Sequence, residues 1–543
     1  MRMLLRYRYR PRALASAAAL VTVASLATAS LTPQASATGR PASAVQASAV
    51  QAGPAVEDDG ADCAVPDPGA SPANAKLPDP FRNLDGTRVS TTSDWRCRRA
   101  EIREQAERSV YGQKPAKPAV VTGTVSTTGI TVNVTDQGKS AAFSAKVELP
   151  SGSGPFPAVV VLGGLGADTA TIKASGAAVV NFDPYTVGRE GTARNNKQGA
   201  FYSVYGSSSS TGLLMAWSWG VSRIIDVIEQ SGGNLLKADA TGVTGCSRFG
   251  KGAFVAGAFD QRIDLTMPIE SGSGGAPVFR GIPGESGGQP LSSAYSEQPW
   301  LGDAFGSFTG SPANLPVDTH EIVGMVAPRG LFLMENPHVD WLSARSGSVA
   351  ALGGAEVYKA LGAGSNISYW SDVQDGTHCA ARPEWKGPLQ QSIGTFLLNT
   401  GTAPGVFRVS PRKSGDLSAW RDWQTPVLTS TGNPGDGGDP DDGSDATCTA
   451  GYRTVNSWSG GFQGEVSIRN SGSTTLNGWT VGMTLAAGQS ISSVWNGVNT
   501  GTSGSVTVRN TQWAGTTAPN GTTTFGFTAT GSATPAPGNL TCA

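Results

Sequence analysis

The sequence predicts a three-layer α/β domain followed by a small all-β sandwich, and three observations carry that reading. Ala158-Val159-Val160-Val161-Leu162 and Ala177-Ala178-Val179-Val180-Asn181-Phe182 are apolar runs of strand length, each bounded by glycine or turn residues. Residues 213–230 carry apolar side chains at helical spacing and stop at Ser231-Gly232-Gly233. Fully apolar strands alternating with helices mark a mostly parallel sheet covered on both faces. Residues 464–470 and 504–510 instead alternate faces with period two, in a Thr/Ser/Gly-rich stretch with no helical pattern.

Composition narrows the function before any motif is read. The chain has 543 residues, 15% of them charged, with 40 Lys+Arg against 41 Asp+Glu. That balance fits neither a nucleic-acid binder nor a charge-dense disordered chain. Three histidines, His320, His338 and His378, and six cysteines leave little material for a metal cage, so neither metal nor cofactor is expected.

Arg2, Arg6, Arg8, Arg10 and Arg12 precede a small-residue apolar run from Ala13 to Ala29, followed by a small-residue cleavage pattern at Ala35-Ser36-Ala37, the pattern of an export signal over residues 1–37. The run is shorter than the ~20 apolar residues of a membrane span, so a secreted, extracellular, membrane-free protein is expected. Without those residues, 35 basic and 41 acidic side chains remain, a formal charge of −6. Export implies oxidised cysteines. Fifteen pairings of six cysteines exist; their positions suggest Cys63–Cys97, Cys246–Cys379 and Cys448–Cys542.

Residues 38–61 contain a short Ser/Ala/Val/Gln repeat without core-forming periodicity and read as a flexible leader. Residues 424–447 are rich in Gly, Pro and Asp and read as a linker. Between them lies a catalytic-sized unit, 62–423, and after them a module, 448–543.

Within the large unit, Thr244-Gly245-Cys246-Ser247-Arg248-Phe249-Gly250-Lys251-Gly252-Ala253 runs from a strand into a small-residue helix. A nucleophile elbow of the α/β-hydrolase fold sits at such a junction. A serine nucleophile needs a base, and the base an orienting acid. His378, in the late loop Asp375-Gly376-Thr377-His378-Cys379, has the chain position of that base. A Cys246–Cys379 bridge would tie the residue before Ser247 to the residue after His378. For the acid, Glu270 ends the strand after the elbow helix, and Glu335 and Asp340, after the next strand, compete with it.

These segments resemble the glucuronoyl esterases of carbohydrate esterase family 15. The shared motifs are Gly-Cys-Ser-Arg-Phe-Gly-Lys-Gly-Ala, Glu270-Ser271-Gly272-Ser273-Gly274-Gly275, the His378-Cys379 pair, Leu315-Pro316-Val317-Asp318-Thr319-His320 and Ala327-Pro328-Arg329-Gly330. The resemblance implies cleavage of the ester between xylan-borne 4-O-methyl-glucuronic acid and a lignin alcohol. It also implies Ser247 as nucleophile, His378 as base, Glu270 as acid and Arg248 as oxyanion partner. Lys251, Gln289, Glu297 and Trp341 match positions that bind the glucuronate.

The last 95 or so residues hold Trp458, Trp479, Trp495 and Trp513. Trp479 looks like core, whereas Trp458, Trp495 and Trp513 stand in polar, glycine-flanked turns. With the bracketing cysteines they resemble carbohydrate-binding module family 2, and the Trp495-Asn496-Gly497 element favours its cellulose-binding type. Cellulose and glucuronoxylan–lignin esters are therefore the expected partners, and a monomer the expected state. Two other readings compete. An acetyl xylan esterase shares the chemistry but needs no cations at the nucleophile, and a non-catalytic wall-binding protein needs no Ser/His/acid set.

Overall fold

The computed structural model describes residues 56–67, 73–428, 448–458, 460–472, 475–511, 516–517 and 521–542. The export signal, most of the leader, residues 429–447 of the linker and Trp513 lie outside them. The chain divides into two compact units, one on each side of that linker.

The first unit is built on ten strands: β1 (Val120–Val125), β2 (Gly129–Asp136), β3 (Lys139–Glu148), β4 (Phe156–Leu162), β5 (Ala178–Phe182), β6 (Leu236–Cys246), β7 (Ile263–Ile269), β8 (Gly330–Met334), β9 (Ile367–Trp370) and β10 (Phe407–Arg408). They form one sheet in the order β1-β2-β3-β5-β4-β6-β7-β8-β9-β10. The three joints from β1 through β5 are antiparallel; from β5 onward every pair is parallel. Among the described residues, nine helices accompany the sheet: α1 (Thr92–Ala106), α2 (Thr169–Ala174), α3 (Ala200–Tyr205), α4 (Leu213–Gln230), α5 (Arg248–Phe259), α6 (Leu291–Glu297), α7 (Thr319–Val326), α8 (Ala344–Ala360) and α9 (Pro383–Leu397).

All seven residues of β4 are buried, and period-two geometry divides its central residues between two cores. Ala158, Val160 and Leu162 join the core that contains Trp217 of α4 and Phe254 of α5. Val159 and Val161 join the opposite core, with Ile172 of α2 and Ile393 of α9. Helices thus cover both faces, as the uninterrupted apolar run requires. Helix α4 spans the stretch read from periodicity, because Gly212 and the Ser231-Gly232-Gly233 turn bound it.

The leader reading needs correction at its C-terminal end. Residues 56–58 form a 3₁₀ turn, and Glu57 is buried rather than free. Its carboxylate lies 3.0 Å from Lys114 Nζ, 3.3 Å from Arg262 and against Arg223, which in turn contact Asp226 and Asp260. Asp58 pairs with Arg103, and Asp59 with Arg96 and Arg99. Low hydrophobicity made this acidic segment look unanchored; its anchor is ionic.

The second unit contains β11 (Cys448–Trp458), β12 (Gly461–Asn470), β13 (Leu476–Asn477), β14 (Thr480–Thr484), β15 (Ser490–Trp495), β16 (Gly497–Thr500), β17 (Ser505–Asn510), β18 (Thr516–Thr517), β19 (Thr522–Thr530) and β20 (Gly538–Cys542). Two four-stranded sheets, β11-β12-β19-β15 and β16-β17-β14-β20, enclose Trp479, Phe462, Phe525 and Phe527. Trp479 stacks on Phe525 with ring centroids 5.4 Å apart. The three disulfides Cys63–Cys97, Cys246–Cys379 and Cys448–Cys542 are all formed.

Burial alone would raise the Glu57 carboxyl, but Lys114, Arg223 and Arg262 outweigh it and hold the group well below the usual carboxylate range. A depressed folded-state value stabilises the fold above the unfolded carboxyl's ~4.3 and loses that contribution as pH falls below it. Glu57→Gln, which leaves the buried cations one partner short, is expected to cost about 3–5 kcal/mol at neutral pH. Urea unfolding of the full chain checks this: the gap between wild type and variant should close progressively below pH ~4.

Candidate functional site

The carboxyl ends of β4 to β9 gather the residues singled out from sequence. β6 ends at Cys246 and α5 begins at Arg248, leaving Ser247 in the turn at φ 59°, ψ −125°, a strained conformation for a side-chain-bearing residue. The turn is tight enough that a Cβ at position 250 would lie 2.4 Å from the Ile269 carbonyl oxygen, so glycine is required there. The Ser247 N–H donates to that same carbonyl at 2.9 Å.

Glu270 follows β7 with φ 46°, and its side chain is buried. Its Oε2 accepts from His378 Nδ1 at 2.5 Å and from the Cys379 N–H at 2.8 Å. Its Oε1 accepts from Asn336 Nδ2 at 3.4 Å, with Arg382 Nε 3.8 Å away. With Nδ1 engaged by a carboxylate, the imidazole keeps its proton there and turns Nε2 into the free base. The Cys246–Cys379 bridge, Cα–Cα 5.8 Å, joins the residues flanking Ser247 and His378. Cys246, Glu270, His378 and Cys379 bring four potential metal donors within 4.8 Å of one another. The two sulfurs are bonded to each other, so neither can supply a thiolate.

The competing acids are differently placed. Glu335 is buried with one side-chain hydrogen bond, from Ser271 Oγ at 3.4 Å, and its Oε2 has no hydrogen-bond partner. Burial, then the neighbouring Glu270, push its carboxyl up to about 8. Asp340 is exposed and pairs with Lys413 at 3.2 Å. His320 and His338 lie elsewhere in the network: each ring Nε2 sits 2.9 Å from a backbone carbonyl, Pro78 and Val373 respectively.

The remaining sequence candidates surround this group. Trp341, 53% exposed, presents its ring edge-on to His378 at 5.9 Å. Gln289 Nε2 donates to Glu297 Oε2 at 2.7 Å, and the Gln289 N–H to the Trp341 carbonyl at 3.2 Å. Lys251 is buried, donates Nζ to the Ser271 carbonyl and stands 5.3 Å from the Trp300 ring. Burial lowers its ammonium to about 8, with Glu297 and Glu335 partly opposing that shift. Arg248 bonds Glu190 Oε2 through Nη1 at 2.8 Å, and its Nη2 is 3.9 Å from Glu297 Oε1.

Glu190 and Trp300 escaped the sequence reading. Glu190 accepts from Arg248, from the Tyr185 hydroxyl at 2.8 Å and from Trp300 Nε1.

In the second unit, Phe462, Phe525, Phe527 and Ala529 face the core, so Gly461 and Gly526 face outward. Trp458 pairs with Gly461 and Trp495 with Gly526, which puts both indoles on the outer face of one sheet. They are 50% and 39% exposed. A Cβ on Gly526 would fall 2.2 Å from the Trp495 ring, so the indole lies flat only because that residue is glycine.

Residues 132–362 match the family model described as glucuronyl esterase, fungi, and residues 448–542 match the cellulose binding domain. The chain is 38% identical over 363 residues to a 4-O-methyl-glucuronoyl methylesterase of Neurospora crassa, spanning 66% of this chain and 90% of that one. A homologue of the same name from Hypocrea jecorina is 36% identical, spanning 66% and 77%. Among solved structures, the glucuronoyl esterase catalytic domain of Hypocrea jecorina superposes with a TM-score of 0.62 at 35% identity, covering 66% of this chain and 98% of that one. The Sporotrichum thermophile glucuronoyl esterase, bound to methyl 4-O-methyl-β-D-glucopyranuronate, gives a TM-score of 0.64 at 35% identity, covering 68% and 100%. The chain is thus a member of the glucuronoyl esterase family, carbohydrate esterase family 15, and carries a cellulose-binding domain of family 2 at its C-terminal end.

Proposed function

We propose that this chain is a secreted serine esterase that cleaves the ester between the 4-O-methyl-glucuronic acid of glucuronoxylan and lignin alcohols. Its C-terminal module holds it on cellulose. The observation that carries the catalytic reading is the 2.5 Å Glu270–His378 hydrogen bond, disulfide-linked to the strained turn that bears Ser247.

Ser247 Oγ attacks the uronoyl carbonyl while His378 Nε2 takes its proton. The imidazolium is stabilised by Glu270, and the oxyanion by the Arg248 guanidinium and the first N–H groups of α5, which lack intrahelical acceptors. Collapse breaks the acyl–oxygen bond, and His378 returns the proton to the departing alcohol. Water, deprotonated by the same imidazole, then attacks the acyl-enzyme; the uronic acid leaves and Ser247 regains its proton. Glu270 serves as the acid rather than Glu335 or Asp340, because it alone of the three meets His378.

Lys251, Gln289 and Glu297 offer the donors and acceptors that sugar hydroxyls need, and Trp341 offers an exposed apolar face. Two cations beside the nucleophile favour a uronoyl ester over an acetyl group. Trp458 and Trp495, on one outward face, suit stacking on the faces of sugar rings.

Ser247→Ala should abolish acid release from benzyl glucuronate, with acetate release from acetylated xylan weak in both proteins. Serine-dependent acetate release without attack on the glucuronate would support the acetyl xylan esterase instead, and silence on both would favour a purely wall-binding protein. The lowered Lys251 value means the ammonium exists below pH ~8 and is lost above it. The kcat/KM for benzyl glucuronate should therefore fall on an alkaline limb near 8, which Lys251→Met removes from the residual activity in a pH–rate profile. Trp458→Ala and Trp495→Ala should each weaken cellulose binding at least tenfold in a depletion assay while leaving kcat on soluble esters unchanged.

A further inference from the structure

Arg248 has a geometric problem that the reaction must solve. Arginine has a long side chain with many rotamers, and an oxyanion donor works only if it is already aimed when charge develops. Helix α5 begins at Arg248, and its guanidinium meets Glu190, Glu297 and Trp300, all of which lie outside the Ser247 turn.

Glu190 supplies the fixture. Its side chain, 8% exposed, accepts three donors: Arg248 Nη1, the Tyr185 hydroxyl and Trp300 Nε1. Tyr185 packs against Phe249, ring centroids 5.7 Å apart, and Trp300 is buried, so the carboxylate is clamped from both sides. Arg248 also lies over the Trp300 ring, with Cζ 5.5 Å from its centroid. The Nη1 end of the guanidinium is thereby pinned, and its Nη2 stands 3.9 Å from Glu297 Oε1.

Charge gives the same carboxylate a second consequence. The ester substrate is neutral at the reacting carbon, whereas the product is a carboxylate. Arg248 and Lys251 unopposed would hold that anion; Glu190, with Glu297 3.9 Å from Arg248 Nη2, offsets them. We propose that Glu190 is a positioning residue: it holds Arg248 in place for the oxyanion and offsets its charge so that the uronic acid product is released.

The proposal rests on the oxyanion role of Arg248, so the test is a double-mutant cycle on benzyl glucuronate with Glu190→Gln, Arg248→Ala and both together, each checked for folding by thermal melting. Glu190→Gln should lower kcat about 10- to 100-fold with KM within about threefold, since the loss is confined to the transition state. Added glucuronate should inhibit this variant several-fold more strongly than wild type. In the Arg248→Ala background, Glu190→Gln should cost nothing further. Multiplying losses in the double variant, or a wild-type kcat in Glu190→Gln, would overturn the assignment of Glu190 while leaving the esterase reading intact. A wild-type kcat in Arg248→Ala would overturn the oxyanion role itself and the proposal with it. If Glu190→Gln does not fold, Trp300→Phe removes one donor to Glu190 and keeps the ring. It should give a smaller kcat loss that again vanishes in the Arg248→Ala background, and a loss that persists there overturns the proposal.

Discussion

The site depends on one covalent constraint, the bond between Cys246 and Cys379. Ser247 rides on the β6–α5 turn and His378 on a loop 131 positions further along the chain, after β9. The β6 side of that pair is rigid, since strand and helix meet there. The His378 loop has exposed neighbours on its N-terminal side, from Gln374 to Thr377, and no strand or helix of its own. A bridge with a sequence separation of 133 removes about 5 kcal/mol of denatured-chain entropy on the chain-entropy account, and it docks the loop against the elbow. Glu270 completes the docking by binding both the His378 ring and the Cys379 N–H. One carboxylate thus sets the orientation of the ring and the path of the backbone beside it.

Glu270 and Glu335 are both buried, but their surroundings differ. Glu270 receives donors on both oxygens, with Arg382 near one of them, so its charge is solvated by the protein. Glu335 has one long hydrogen bond and a bare Oε2, so burial favours the protonated form, as its raised value shows. Only the first meets the His378 ring. Burial likewise disfavours the charged form of Lys251, and Glu297 and Glu335 only partly oppose that shift.

What the sequence revealed and what it hid follow the range of the interactions involved. Strands β4, β5 and β8, helix α4, the Ser247 turn and the three disulfide pairings were legible because they depend on local periodicity, glycine placement or covalent chemistry. The antiparallel extension β1–β3 was not read, because its exposed threonines give an alternation without a continuous apolar run. Glu57 was misread as part of a free leader, since its partners Lys114, Arg223 and Arg262 stand up to 205 positions away. Glu190 was missed for the same reason: Arg248 and Trp300, which give it meaning, are distant in sequence. Ion pairs between remote residues leave no periodic trace, whereas elbows and apolar strands do.

The two units solve their stability problems separately. The first closes two cores around its sheet and adds the Glu57 ionic cluster; the second closes one core between its sheets and staples its first and last strands with Cys448–Cys542. Among the described residues, each of the three cores is built from one unit's own side chains, so apolar burial and a covalent or ionic clamp recur as a pair within each unit.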